Sequence, residues 1–174
     1  KLTIGAAVTS IGGVSMTGMN AFQGCTSLDD VTLGAAVTSI GQYAFRDCSS
    51  LASIVIPAAV TRIGGYAFYG CSALASINIP AVTSIGDYAF TGCTAITQLT
   101  LDTPLLRTAD DFVTTYFADS KGSITELSIG DTVTSLAGKT CYECSKLKKL
   151  TIGDAVTSIG GESAFQGCTS LDDV

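Results

Sequence analysis

Phe22, Phe45, Phe68 and Phe90 follow one another at intervals of 23, 23 and 22 residues, each inside the phrase Ala-Phe-x-x-Cys. A chain that repeats at this period folds as a solenoid of one supersecondary unit, because a single unit has nothing against which to bury its apolar side chains. The unit reads most cleanly over residues 51–73. Leu51, Ile54 and Ile56 alternate as a half-buried strand does, and Pro57 ends it. Val60, Thr61 and Ile63 are β-branched and predict a second short extended segment, closed by Gly64. Gly12, Gly41, Gly86 and Gly160 match Gly64, with Ala137 as the one departure. Such a glycine serves either a positive φ or a close approach to the next turn. Ala67, Phe68, Cys71 and Leu74 are spaced three and four apart, which predicts about one helical turn before the next strand.

Carried along the chain, this register starts turns near Lys1, Leu28, Leu51, Leu74, Ile96, Ile124 and Leu147, with an eighth at Leu171. The expectation is one domain, 1–174: an α/β-type solenoid of about seven stacked turns with a parallel β-sheet, a second extended segment and a helical turn per repeat. Two turns are irregular. Residues 13–20 contain an insertion that reads as a surface loop, and the turn over 96–123 loses both the Ile-Gly and the Cys. Both chain ends fall within a turn, and neither supplies the polar cap of a natural solenoid, so the chain reads as an uncapped fragment of a longer protein.

The composition suits a packed core: 47% of residues are apolar and 14% charged. A net charge of −6, with nine Lys and Arg against fifteen acids, argues against nucleic acid or an anionic membrane as partner. No run of residues is long and apolar enough for a transmembrane helix.

The phrases Val-Thr-Ser-Ile-Gly and Ala-Phe-x-x-Cys recur together over 37–48, 60–71, 82–93 and 156–168, with weaker copies over 8–25 and 133–144, and Leu-x-x-Ile-x-Ile-Pro stands between them at 51–57 and 74–80. In these the chain resembles the BspA-like class of leucine-rich repeats, found in surface proteins of bacteria and some protozoan parasites. It lacks the Asn ladder of the commoner leucine-rich pattern. The resemblance implies a curved or gently twisted solenoid, extracellular display at the cell surface, and adhesion to host or matrix proteins. It implies no catalytic residue and no cofactor.

Six cysteines, Cys25, Cys48, Cys71, Cys93, Cys144 and Cys168, share one repeat position and are expected to form an inward ladder of buried, reduced thiols. They run beside the core ladder of Phe22, Phe45, Phe68, Phe90 and Phe165. Cys141 and Cys144 form a C-x-x-C without the second pair that a zinc site needs, so Cys141 reads as a core substitution at the Phe position. The chain has no His, the commonest general base and metal ligand. Paired acids such as Asp29-Asp30 and Asp172-Asp173 have no partner motif and read as solvated faces. No phosphate loop or nucleophile elbow is present.

Function is therefore expected in surface contact. The irregular turn carries Arg107, Asp110, Asp111, Phe112, Tyr116 and Phe117, a denser mixture of charge and aromatics than any regular turn, and is the first candidate patch. At least one of Phe112 and Phe117 is expected to fill the core where the Ala-Phe phrase is missing. Outward strand positions Thr32, Val55, Asn78 and Thr100 form a second candidate row, but Val55 and Asn78 interrupt its hydroxyls and its simpler reading is ordinary β-favouring surface. Tyr43, Tyr66 and Tyr88 recur before Ala-Phe, either as a contact stripe or as packing that shields the turn edge. The phrases KLTIG-x-AVTSIGG and AFQGCTSLDDV occur at both ends of the chain, which suggests a duplicated block and a multivalent array. The leading expectation is a non-enzymatic surface binding module, and the rival is a structural spacer that displays another domain.

Overall fold

The computed structural model describes residues 1–12, 21–108, 111–160 and 163–173. The expected loop over 13–20 lies outside the described residues. Successive turns contribute β1 (Leu2–Thr3) and β2 (Ser10–Ile11), β3 (Asp30–Thr32) and β4 (Ser39–Ile40), β5 (Ser53–Val55) and β6 (Arg62–Ile63), then β7 (Ser76–Ile79) and β8 (Ser84–Ile85). The irregular turn has β9 (Gln98–Leu101), a 3-10 helix (Pro104–Arg107) and α1 (Phe112–Phe117). After it come β10 (Glu126–Ile129) and β11 (Ser135–Leu136), and β12 (Lys149–Ile152) and β13 (Ser158–Ile159).

The first strand of each turn stacks in the orders β1-β3-β5 and β7-β9-β10-β12, and the second in the orders β2-β4-β6-β8 and β11-β13. All are parallel and in repeat register: Val31 faces Ile54, and Ile77 faces Leu99, which faces Leu127. The second sheet stops at the irregular turn, where the 3-10 helix takes the strand's place and Leu106 accepts the Ala137 N–H at 2.7 Å. Threonines of the Val-Thr-Ser-Ile-Gly phrase tie the turns together. Thr38 Oγ1 donates to the Thr9 carbonyl at 3.0 Å, Thr61 to Thr38 at 3.4 Å and Thr83 to Thr61 at 3.2 Å.

The Ala-Phe-x-x-Cys segment is a pair of tight turns and not the expected helical one. The residue before Cys has positive φ at Gly24, Asp47, Gly70, Gly92, Glu143 and Gly167, and the residue before Ala does so at Tyr43, Tyr66 and Tyr88. Bracketed in this way, three right-handed residues are too few for an α-helical hydrogen bond. The donors go to the next turn instead: Phe45 N–H to Ala67 O at 2.8 Å and Asp47 N–H to Tyr69 O at 2.7 Å.

The core is one cluster running from Ile11 to Leu150. Phe45, Phe68 and Phe90 are fully buried and stack ring on ring, with centroids 5.4 and 5.3 Å apart. At Gly64 and Gly86 an added Cβ would fall on the backbone of the preceding turn. Ala137 is tolerated in the same row because its neighbour is the 3-10 helix.

Three parts of the cysteine expectation are corrected. Cys144 is not a free thiol: it is bonded to Cys141, with Cα atoms 5.7 Å apart, inside the range a disulfide spans. Cys25 is exposed and Cys168 half-buried. Cys25, like the half-buried Phe22, has a described turn packed on one side only, as have Phe165 and Cys168 at the other end. Cys48, Cys71 and Cys93 are free and buried.

Candidate interaction surface

On the first sheet the outward row is in strand register. Thr32 pairs with Val55, and Asn78 with Thr100. Thr32, Val55 and Asn78 are exposed, Val55 to 71%, and Thr100 is half-buried. Thr32 and Val55, with Pro57 and Ala58, line a groove of about 530 Å³. Its one charged group, Asp30, is held by Lys1 Nζ at 3.3 Å. This surface offers hydroxyls and small apolar groups and no reactive centre.

Both short helices of the irregular turn are capped and anchored to the core. Thr103, fully buried, donates to the Val82 carbonyl at 2.8 Å and accepts the Leu105 N–H at 3.3 Å as N-cap of the 3-10 helix, with Pro104 pre-setting the first turn. Asp111 caps α1 by accepting the Thr114 N–H at 3.1 Å. Both Phe112 and Phe117 fill the core. Phe117 continues the Phe ladder, 4.7 Å from Phe90, and Ser120 stands in the cysteine position, donating to the Cys93 carbonyl at 2.6 Å. The spacing Phe117-x-x-Ser120 carries this substitution, but its altered letters hide it from a search for Ala-Phe-x-x-Cys.

Of the expected contact residues here, Arg107 is exposed and Tyr116 half-buried, packed on Phe112 at 4.9 Å. Burial, then the neighbouring Asp87 carboxylate, raises the Tyr116 hydroxyl pKa. Asp111 is committed to its cap, no ion pair joins it to Arg107, and Asp110 lies outside the described residues.

A third surface was only half legible. Tyr43, Tyr66 and Tyr88 stack along the solenoid with centroids 5.2 and 5.0 Å apart, and Tyr69 tilts against Tyr66 at 5.6 Å. Into one end of this group the chain inserts Arg46. Its guanidinium lies 5.5 Å from the Tyr43 ring, 6.0 Å from Tyr66 and 5.3 Å from Tyr69, with Nε 3.2 Å from Asp47 Oδ2. The tyrosine spacing is visible in the sequence, and Arg46 and Tyr69, 23 residues apart, share one repeat position and so meet across adjacent turns, but the two differ in type and no recurring letter draws the eye to them.

The buried and half-buried thiols are poor nucleophiles. Burial pushes the Cys48 pKa up to about 11 and the Cys93 pKa to about 12, and raises those of Cys71 and Cys168. Such groups stay protonated at neutral pH, whereas a reactive cysteine needs its thiolate. Among the described residues no cluster of His, Cys, Asp and Glu is arranged to hold a metal ion. No helix among them is long and apolar enough to cross a membrane.

A family model described as BspA type leucine-rich repeat region matches six copies over residues 15–113 and 111–174. Among solved structures the chain is similar to a leucine-rich repeat protein of T. pallidum, at 24% identity over 98% of this chain and 77% of that one, with a TM-score of 0.61. A leucine-rich repeat protein from Eubacterium ventriosum ATCC 27560 is 25% identical over 82% of this chain and 43% of that one, with a TM-score of 0.53. No curated protein sequence matches the chain.

Proposed function

The chain belongs to the BspA-type leucine-rich repeat family, and we propose that it is a non-enzymatic binding module that presents a rigid repeat scaffold to a host or matrix protein at the cell surface. The observation that carries this reading is the irregular turn. Its core side is fixed by Phe112, Val113 and Phe117, while its outer side carries exposed Arg107 and half-buried Tyr116. Arg and Tyr are the residue types that dominate binding energy at protein interfaces, most of all when a rigid support spares them the entropy of ordering. Display at the cell surface belongs to the same proposal and rests on the family resemblance.

The test is binding of the purified chain to immobilised extracellular-matrix proteins by surface plasmon resonance. Saturable binding is expected, with Arg107→Ala and Tyr116→Ala each weakening it roughly tenfold, the effect of losing an ordinary hot-spot side chain. Binding that survives both substitutions unchanged would move the site off the irregular turn. Absence of binding to any of them would favour a spacer, a reading that the regularity of the other turns also suits.

A further inference from the structure

From the geometry of the tyrosine stack we infer that its Tyr88 end is a docking site for an arginine side chain of the protein partner, with Asp87 as counter-charge. This rests on the proposed binding function and names the chemistry of the partner. The first observation is internal to the chain. At the other end of the same stack Arg46 lays its guanidinium within 6.0 Å of three tyrosine rings and pairs with Asp47. Guanidinium over tyrosine is a favourable electrostatic contact, and a flanking carboxylate makes it stronger. The Tyr43 end of the stack is thereby occupied.

The Tyr88 end is not. Tyr88 stacks on Tyr66 at 5.0 Å and is 58% exposed, and among the described residues no other ring and no cation lies against it. The carboxylate is present here too: Asp87 precedes Tyr88 in the chain, is exposed, and lies close enough to Tyr116 to act on its hydroxyl. The two ends of the stack therefore each carry an exposed or partly exposed ring with an aspartate nearby in the chain, Asp47 four residues after Tyr43 and Asp87 directly before Tyr88, and only the Tyr43 end has a guanidinium. The wider field has the same sign. Residues 28–119 carry eight aspartates against three arginines, so this part of the molecule draws in cationic segments.

Backbone conformation adds a specific constraint. Tyr88 holds φ at 59°, in the left-handed region that bulky residues avoid, as do Tyr43 at 57° and Tyr66 at 56°. Asparagine adopts this conformation far more readily. Tyr88→Asn therefore removes the ring without disturbing the turn or altering the net charge, which separates ring recognition from attraction between an acidic protein and any polycation.

The probe is a short fluorescein-labelled oligo-arginine peptide, read by fluorescence anisotropy, with an oligo-lysine of equal length beside it. Oligo-arginine is expected to bind more tightly than oligo-lysine. Tyr88→Asn and Asp87→Asn are each expected to weaken it roughly tenfold, with thermal unfolding of Tyr88→Asn no earlier than that of the parent. Equal affinity for the two peptides, or oligo-arginine binding untouched by Tyr88→Asn in a folded protein, overturns the inference. Matrix-protein binding that persists while oligo-arginine fails would remove this site and leave the binding function standing. Oligo-arginine binding without any matrix-protein binding would do the reverse.

Discussion

Cys48, Cys71 and Cys93 each place Sγ 3.0 to 3.2 Å from the carbonyl oxygen of a Phe in an earlier turn, where the thiol proton is a donor and a thiolate would have no water. Their pKa values rise for that reason, and the sign of the consequence follows. In the unfolded chain these thiols ionise at the ordinary value, while in the folded protein Cys48 waits until about 11 and Cys93 until about 12. Their contribution to stability is therefore whole below the ordinary thiol range and is lost as pH rises through the folded values. Urea unfolding midpoints are expected to hold steady up to about pH 8 and then fall steeply up to about pH 11, and a Cys48→Ala, Cys71→Ala, Cys93→Ala variant should show a shallower fall. An equally steep fall in the variant would assign the effect to other groups, tyrosines among them. That these cysteines face inward was legible in their period. That Cys141 and Cys144 are joined was not, because the repeat aligned Cys141 with phenylalanine and drew attention away from the two-residue spacing that brings the sulfurs together.

At the scale of the single turn, the glycine closing the second strand shows how sequence pattern becomes stacking distance. Gly64 and Gly86 each sit against the backbone of the turn before, leaving no space for a Cβ, so Gly64→Ala is expected to cost about 1–3 kcal/mol of stability by overpacking. Chemical denaturation would measure it, and a cost near zero would mean that the turns can separate locally without penalty. Strand positions, the Phe ladder and the outward row of Thr32, Val55, Asn78 and Thr100 were all readable, since each depends on residues that recur at one place in the repeat. The short turn after the glycine was misread as helical. Apolar spacing of three and four suits a helix, but the outcome is decided by left-handed residues: Gly24, Gly70, Gly92 and Gly167 signal the one before Cys, whereas Asp47, Glu143 and the three tyrosines hold the same conformation without a glycine to mark it. In the candidate site, the irregular turn was found through the lapse of the pattern. The cation held by the tyrosine stack was missed although Arg46 and Tyr69 share one repeat position 23 residues apart, because the pattern was followed through residues that recur in kind and these two differ.

For the whole molecule the question is whether the irregular turn divides the solenoid or joins it. The second sheet is interrupted there, with β8 ending one stack and β11 beginning another. The first sheet runs on through β9 and β10, and the Phe ladder crosses by way of Phe117, which stacks on Phe90 and is itself fully buried. In a solenoid each turn is stabilised by its neighbours, so a strong interface on both sides of the irregular turn makes the array unfold as a unit, and a weak one lets the halves part. The buried core is continuous across the turn, and the interruption affects only a strand of two residues. Joining is therefore expected to win. The chain supplies its own local reporters: it has no Trp, and four of its six tyrosines, Tyr43, Tyr66, Tyr69 and Tyr88, lie on the N-terminal side. Thermal unfolding followed by tyrosine fluorescence should coincide with unfolding followed by far-ultraviolet circular dichroism, which samples all the turns. Phe117→Ala removes the ring that bridges the two sides, at a cost of about 3–5 kcal/mol, and the two signals should then separate into distinct transitions. Separate transitions in the parent protein would mean that the irregular turn is a joint between two independently stable stacks, and the surface it carries would then lack the rigid support on which the binding proposal depends.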